Sequence, residues 1–400
     1  MRATHRTISY RNATPERPMT DHRRRVFCLI AATLASVCST SLHAENRIFV
    51  TSERMTLGTE TFRSASVRMG DIDGDGDLDI VAANGRHWPQ RNELFVNQGR
   101  AKFSVLRPLG TDMRPTYACE FADLDNDGDL DIATGNDMAK GQIFLNDGAG
   151  NFTENAEFGE VSSLRSMMTF DIDRDGDIDL IVTCRGRPNR VYLNDAHANF
   201  REGPAFGTDN DSTIDVGAGD VNNDGHIDLL LANRDRQPNE ILLGNDSLTF
   251  AQRIPFGSGQ DQSRSIAVAD LNNDGNLDWV VGNIGQTNLI YLGDGLGGVS
   301  QTQSLGNADD QTYALAIADM DNDGLLDIIV GNVNAPGSVS FQRGKDPTSD
   351  ILVFDEVPFG DSFATYGLCV GDLDNDGFAD IAVANSGSMN RFFLNRPANK

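Results

Sequence analysis

Seven times along this chain an aspartate is followed, two, four and eight residues later, by further oxygen-bearing side chains, with a glycine at the sixth place of the run. Counted from the first aspartate, positions 1, 3, 5 and 9 are Asp71, Asp73, Asp75 and Asp79; Asp123, Asp125, Asp127 and Asp131; and Asp171, Asp173, Asp175 and Asp179. The next two runs carry one amide each: Asp220, Asn222, Asp224 and Asp228, then Asp270, Asn272, Asp274 and Asp278. The last two are Asp319, Asp321, Asp323 and Asp327, and Asp372, Asp374, Asp376 and Asp380. At position 7 the main-chain carbonyl is the expected further ligand, on Asp77, Asp129, Asp177, His226, Asn276, Leu325 and Phe378. Hard oxygens converging within nine residues suit calcium, which accepts irregular coordination by six to eight oxygens. Magnesium demands a stricter octahedron, and zinc prefers histidine or cysteine. Without a cation, carboxylates this close repel one another.

Two simpler readings fail. A polar turn needs Asp and Gly, but not acids at fixed places in seven copies. An EF-hand needs Glu at position 12 between helices. Here position 12 is Ala82, Thr134, Val182, Leu231, Val281, Val330 or Val383, inside an apolar run. Up to seven calcium ions are therefore expected.

The elements that must carry these loops repeat with them. The first aspartates are 52, 48, 49, 50, 49 and 53 residues apart. An apolar residue followed by glycine precedes each loop (Leu57-Gly58, Leu109-Gly110, Phe158-Gly159, Phe206-Gly207, Phe256-Gly257, Leu305-Gly306, Phe359-Gly360). Thirteen residues after each first aspartate comes Asn84, Asn136, Asn233, Asn283, Asn332 or Asn385, with Cys184 in the third copy. Each copy reads as four strands. An alternating run such as Ala314–Ala318 leads into the loop, its small face expected to line an axis. A buried run such as Asp327–Val330 follows, then a third strand such as Asn189–Asn194, a turn such as Asn146–Gly150, and an outer strand. Four strands every fifty residues is the pattern of a propeller blade. The sixth copy carries an insertion, Lys345–Asp350, in its outer hairpin.

The fold class is thus all-β, a seven-bladed β-propeller of four-stranded blades. The seventh copy ends near Asn395 without a fourth strand, while residues 46–58 form an orphan outer strand. The N-terminal strand is expected to complete the last blade and close the ring, with Arg396–Lys400 as a polar tail. Closure removes the sheet edges that an open solenoid exposes.

Residues 1–44 read as a secretory signal peptide: a basic run at His22–Arg25, an apolar stretch from Val26 to Cys38, and a small-residue cleavage region ending at Ala44. The apolar stretch is too short for a membrane anchor. Met19 is the expected true start, and Val37 before Cys38 fits a lipidation box poorly. The propeller then occupies 45–400, secreted or periplasmic and expected to be a monomer. Removing the signal takes away seven arginines and two acids, leaving 26 basic against 57 acidic residues and a net charge of −31. Such a surface repels nucleic acid and anionic lipid. Only Cys119, Cys184 and Cys369 remain, an odd number that excludes a disulfide scaffold and reads as buried thiols.

The apolar-Gly pairs with D-x-D-x-D-G-x-x-D resemble the FG-GAP (VCBS-type) repeat of the integrin α-subunit propeller and of exported bacterial proteins; the repeat pattern of a fungal seven-bladed lectin is similar. The resemblance spans residues 46 to 395. It implies the propeller and calcium in a structural role, and leaves biochemical function open, because propellers host many activities. By analogy with the family, ligands use the face opposite the calcium loops. Six residues before each loop stand Ala65, Tyr117, Arg165, Ile214, Arg264, Tyr313 and Tyr366. Tyr117, Arg165, Arg264, Tyr313 and Tyr366 would ring the channel mouth there, as ligand-binding residues or as a plain plug. His87 and Trp88, in the longest loop between second and third strands, fall on the same face. The first functional reading is a non-enzymatic binding module for a glycan or an extracellular protein. The second is a polysaccharide lyase that uses His87 beside Tyr117. No catalytic residue is assigned; no nucleophile elbow, phosphate loop or zinc cluster is visible.

Overall fold

The computed structural model describes residues 46–349 and 351–398. The signal segment, Met19 and Cys38 lie outside the described residues.

Copies one to six each fold as four antiparallel strands paired in chain order. Blade two is typical: Thr116–Ala122, Asp131–Asn136, Gly141–Asn146 and Phe152–Phe158. Second strands such as Asp327–Asn332 are buried along their whole length. They lie between two other strands and between two neighbouring blades, which explains their unbroken apolar sequence. Outer strands face solvent on one side, and Val299–Leu305 alternates in exposure along its length. The core is divided into wedges between blades. One gathers Val81, Leu94, Cys119, Ile132 and Phe144 from blades one and two. Another gathers Val280, Ile290, Ile328 and Val330 from blades five and six. A fully buried side chain such as Phe144 contributes about 1.5–3 kcal/mol.

Blades two to six are separate four-stranded sheets, whereas blades one and seven share one larger sheet. The cause is the strand Thr56–Gly70, whose first residues pair with blade seven and whose last seven form the inner strand of blade one. Arg47–Val50 and Thr56-Leu57 pair with the strand Asp380–Pro397, which also pairs with Thr365–Gly371. The N-terminal strand therefore supplies the outer edge of the last blade, as expected. Asn97 Nδ2 donates to the Leu373 carbonyl at 2.8 Å across the same joint.

Three expectations need correction. Arg396 does not begin a polar tail: it and Pro397 pair with Ile48 and Arg47 inside the blade. The small face of an inner strand does not line the axis. Ala314, Ala316 and Ala318 pack toward blade seven, and Leu315 and Ile317 pack toward blade five. In a radial blade both faces of the inner strand meet neighbours, so it is the strand's open edge that faces the channel. Finally, Cys119 and Cys184 are buried, but Cys369 is only half-buried.

Candidate metal loops and channel mouth

Each loop joins an inner strand to a second strand. The chain turns sharply at positions 4 and 6, where φ is positive: Gly74 at 73° and Gly76 at 92° in the first loop, Asn126 at 60° and Gly128 at 101° in the second. Glycine tolerates that region and asparagine is among the few side chains that enter it, so position 4 is mostly Asn. The turn brings backbone N–H groups onto the acids. Gly76 N donates to Asp71 at 3.0 Å and Asp77 N to Asp75 at 2.9 Å, a pattern repeated in the other six loops.

Position 9 has a second task that the motif did not reveal. Asp79 accepts from Ile72 N at 3.1 Å and from Asn97 N at 2.7 Å, clamping the loop to the end of the third strand. Asp131, Asp179, Asp228, Asp278, Asp327 and Asp380 make the equivalent two bonds. Burial, only partly offset by these bonds, pushes Asp79, Asp131, Asp179 and Asp380 up to about 7 and Asp327 to about 8.

The five all-aspartate loops bring three carboxylates together each, with one oxygen per residue lying within 4.8 Å of the others. In each of the five, one buried oxygen has no hydrogen-bond partner: on Asp73, Asp123, Asp171, Asp321 and Asp374. A buried, anionic acceptor without a donor is costly, and a cation satisfies it. The donor set is all hard oxygen, so a calcium ion fits. Asp71, Asp73, Asp75 and Asp79 and their equivalents would hold it, and it would neutralise the repulsion that folding imposes.

The loops are not equivalent. In blades four and five Asn222 Nδ2 donates to Asp224 at 2.9 Å and Asn272 Nδ2 to Asp274 at 3.0 Å. Both aspartates fall below the usual carboxylate range: hydrogen bonds from His226 N and Asn222 lower Asp224, and those from Asn276 and Asn272 outweigh desolvation at Asp274. In loops one to three desolvation and neighbouring charge raise Asp73, Asp125 and Asp173 instead. Loops six and seven have a resident cation. Arg343 Nη1 lies 2.7 Å from Asp321, and Arg396 binds Asp376 at 2.6 Å and also Asp374. Both arginines directly follow the residue whose N–H meets the position-9 aspartate, Gln342 or Asn395, so their place in the repeat was readable. Position 4 also links neighbours: Asn126 Nδ2 donates to Asp177 at 2.8 Å, and Asn375 Nδ2 to Asp77 at 2.6 Å across the ring joint.

At the other end of the inner strands, Tyr117, Arg165, Arg264, Tyr313 and Tyr366 line one cavity of about 160 Å³, together with His87 and Ile214. The structure thus gathers the residues singled out at that position, except Ala65, which lines the channel beneath. Tyr313 and Tyr366 rest on each other with ring centroids 4.6 Å apart. His87 bridges two blades: its Nε2 is 2.9 Å from the Tyr117 hydroxyl and its Nδ1 is 2.7 Å from Asp137. Arg165 holds the other oxygen of Asp137 at 2.9 Å and lies over the Tyr117 ring at 4.6 Å. Burial raises the Tyr117 phenol even though Arg165, Arg264 and Arg86 pull it down, so it stays protonated at neutral pH. Trp88 is not in the cavity; it stands on the rim, 59% exposed, with Arg63 over one face.

Four cavity residues went unread in the sequence: Arg86, Arg185 and Arg234 on the walls, and Asp137 behind them. Asp137, Arg185 and Arg234 each directly follow the landmark Asn or Cys of their repeat, and Arg86 lies one residue further on. That shared place was the available signal.

FG-GAP-like repeat models match residues 71–134, 123–182, 171–231, 220–281 and 270–330, and an FG-GAP repeat model matches 364–398. The chain belongs to the FG-GAP repeat family. No curated protein matches it. Among solved structures it resembles BBS1N from the crystal structure of BBS1N in complex with ARL6DN, soaked with mercury. The identity is 12% and the TM-score 0.59, over 88% of this chain and 98% of that one. The same complex soaked with lead gives 12% identity, a TM-score of 0.60 and the same coverage. At that identity the likeness of this FG-GAP chain is one of fold.

Proposed function

We propose that this FG-GAP chain is an exported, calcium-stabilised β-propeller that binds a glycan or protein partner at its channel mouth and performs no chemistry there. The observation that carries this is the cavity at the mouth, into which blades two, three, five, six and seven deliver Tyr117, Arg165, Arg264, Tyr313 and Tyr366, side chains that also line the channel beneath. Aromatic and arginine side chains at the centre of a concave site are the usual anchors of recognition. A chain of the same fold, BBS1N, is seen in complex with ARL6DN, which supports a recognition role for such a propeller. Calcium serves as a staple on the opposite face, at up to seven sites. Residues 1–44 act as the export signal, residues 45–400 form the propeller, and the mature protein is secreted or periplasmic. Among the described residues no helix is long and apolar enough to cross a membrane.

A glycan array on the calcium-loaded protein tests the reading. Tyr117→Ala, Tyr313→Ala and Tyr366→Ala should each weaken the captured ligand by roughly five- to thirtyfold, about 1–2 kcal/mol, with calcium content unchanged. Binding that survives all three moves the site elsewhere, to the rim around Trp88.

The hydrogen-bonded series Tyr117–His87–Asp137 favours a second reading, a polysaccharide lyase. His87, oriented by Asp137, would take the proton beside a sugar carboxylate while the protonated Tyr117 gives its proton to the departing oxygen. That reading predicts unsaturated sugar, seen as ultraviolet absorbance, and its loss in His87→Ala with binding retained. Absorbance growth on an acidic polysaccharide would replace the binding reading.

A further inference from the structure

The cavity at the mouth is basic in a chain whose net charge is −26. Five arginines line it: Arg86, Arg165, Arg185, Arg234 and Arg264. Two of them are spoken for. Arg165 pairs with Asp137 at 2.9 Å, and Arg185 pairs with Asp235 at 2.7 Å.

Arg86 and Arg234 are different. Neither has a carboxylate within ion-pair distance among the described residues, and the Nε of each is buried without a hydrogen-bond partner. Arg86 lies over the Tyr366 ring at 3.9 Å, which fixes its plane but satisfies none of its N–H groups. Arg264 is 9% exposed, and burial lowers its guanidinium despite Asp215 and the nearby tyrosines. A buried guanidinium N–H left without an acceptor is a standing cost, and an incoming anion removes it.

We propose that the channel mouth is an anion site that receives the carboxylate of an acidic glycan, with Arg86 and Arg234 supplying the unpaired N–H groups that hold it. The planar fork of arginine matches a carboxylate, and the acidic remainder of the surface turns anions away everywhere else. A cavity of about 160 Å³ is small beside the usual ligand pocket, so it takes one pendant sugar acid rather than a length of chain. The Tyr313–Tyr366 pair beside it and the exposed Trp88 on the rim offer flat apolar faces for sugar rings, which favours a glycan over an acidic peptide. The assignment rests on the mouth being the ligand face.

Calorimetry on the calcium-loaded protein provides the test, with four probes: an oligogalacturonate, the same oligosaccharide with its carboxyls reduced, a sulfated neutral oligosaccharide, and oligoglutamate. The oligogalacturonate should bind best, and the reduced form at least about tenfold more weakly, as losing a charged hydrogen-bond partner requires. Arg86→Gln and Arg234→Gln should each reproduce that loss, while Arg201→Gln on an outer strand should not. Rising salt should weaken the carboxylated probe and spare the reduced one. Equal binding of charged and reduced sugars would overturn the anion site and leave glycan binding standing. Preference for oligoglutamate would overturn the glycan, and preference for the sulfated sugar would overturn the carboxylate. If nothing binds and the tyrosine variants are equally silent with every ligand tried, the mouth is a plug and the underlying reading falls as well.

Discussion

The two ends of the inner strands carry opposite charge and opposite regularity. At the metal-loop end all seven blades present Asp at positions 1, 5 and 9 with Asp or Asn at position 3, and the surface is a ring of aspartates. At the mouth, the equivalent place holds Ala65, Tyr117, Arg165, Ile214, Arg264, Tyr313 and Tyr366, and the surface is basic. Where every blade needs the same thing, a neutralised turn clamped to its own third strand, the repeat keeps one solution. At the mouth, the proposed ligand site, the blades take different parts. On that proposal regularity marks the staple and irregularity marks the site.

Both ends depend on the closed ring, so breaking it gives the largest effect. Deleting residues 46–58 removes the outer strand of blade seven and exposes the edge of Asp380–Pro397. Calcium affinity and ligand capture should be lost together, with no cooperative melting transition. Removing Arg396–Lys400 takes away two ladder pairs and the cation of loop seven, and should lower the melting temperature without abolishing it. Equal melting of the two truncations would mean that the ring is not a cooperative unit.

Chelation separates the two ends. Calcium at a hundredfold excess over its dissociation constant contributes about 2.7 kcal/mol per independent site, so chelator should lower the melting temperature well beyond measurement error. Loops four and five, with Asn222 and Asn272 already donating to Asp224 and Asp274, should release their ions first. Asp73→Asn should make loop one release its ion together with loops four and five and leave the mouth intact. An unchanged melting temperature in chelator would show that the aspartate ring is no staple.

The legibility of the two ends follows the same division. The sevenfold spacing made the blades, the ring joint and the metal-loop acids readable, because an error in one copy is corrected by six others. It hid what the copies share for reasons other than metal. Asp79 and its equivalents look like ligands, yet both their oxygens first serve to accept backbone N–H groups. At the mouth there is no averaging. Arg86 and Arg234 share a place just after the landmark Asn of their repeats, but that place alone does not tell a cavity wall from a solvated loop; only the closed ring brings them to one cavity. His87 and Tyr117 were readable as neighbours because their loop and strand positions fall on adjacent blades.

The smallest effect is the sharpest probe of the metal end. Arg343 and Arg396 place a guanidinium against the carboxylates of loops six and seven, whereas loops one to three have no such partner among the described residues. If they act as resident cations, each competes with calcium for the same oxygens. Without calcium, Arg343→Gln leaves the buried Asp321 and its neighbour Asp323 facing each other uncompensated, which should cost about 1–3 kcal/mol. With calcium the sign should reverse, because an unoccupied Asp321 binds the ion more tightly and linkage returns that affinity as stability. Arg396→Gln should do the same at loop seven, less cleanly because Arg396 also belongs to the closing strand. The measurement is a pair of melting curves, in chelator and in saturating calcium, for each variant against the parent. A destabilisation of equal size in both conditions would show that these arginines support the fold and do not compete with the metal, and loops six and seven would then rank with loops one to three.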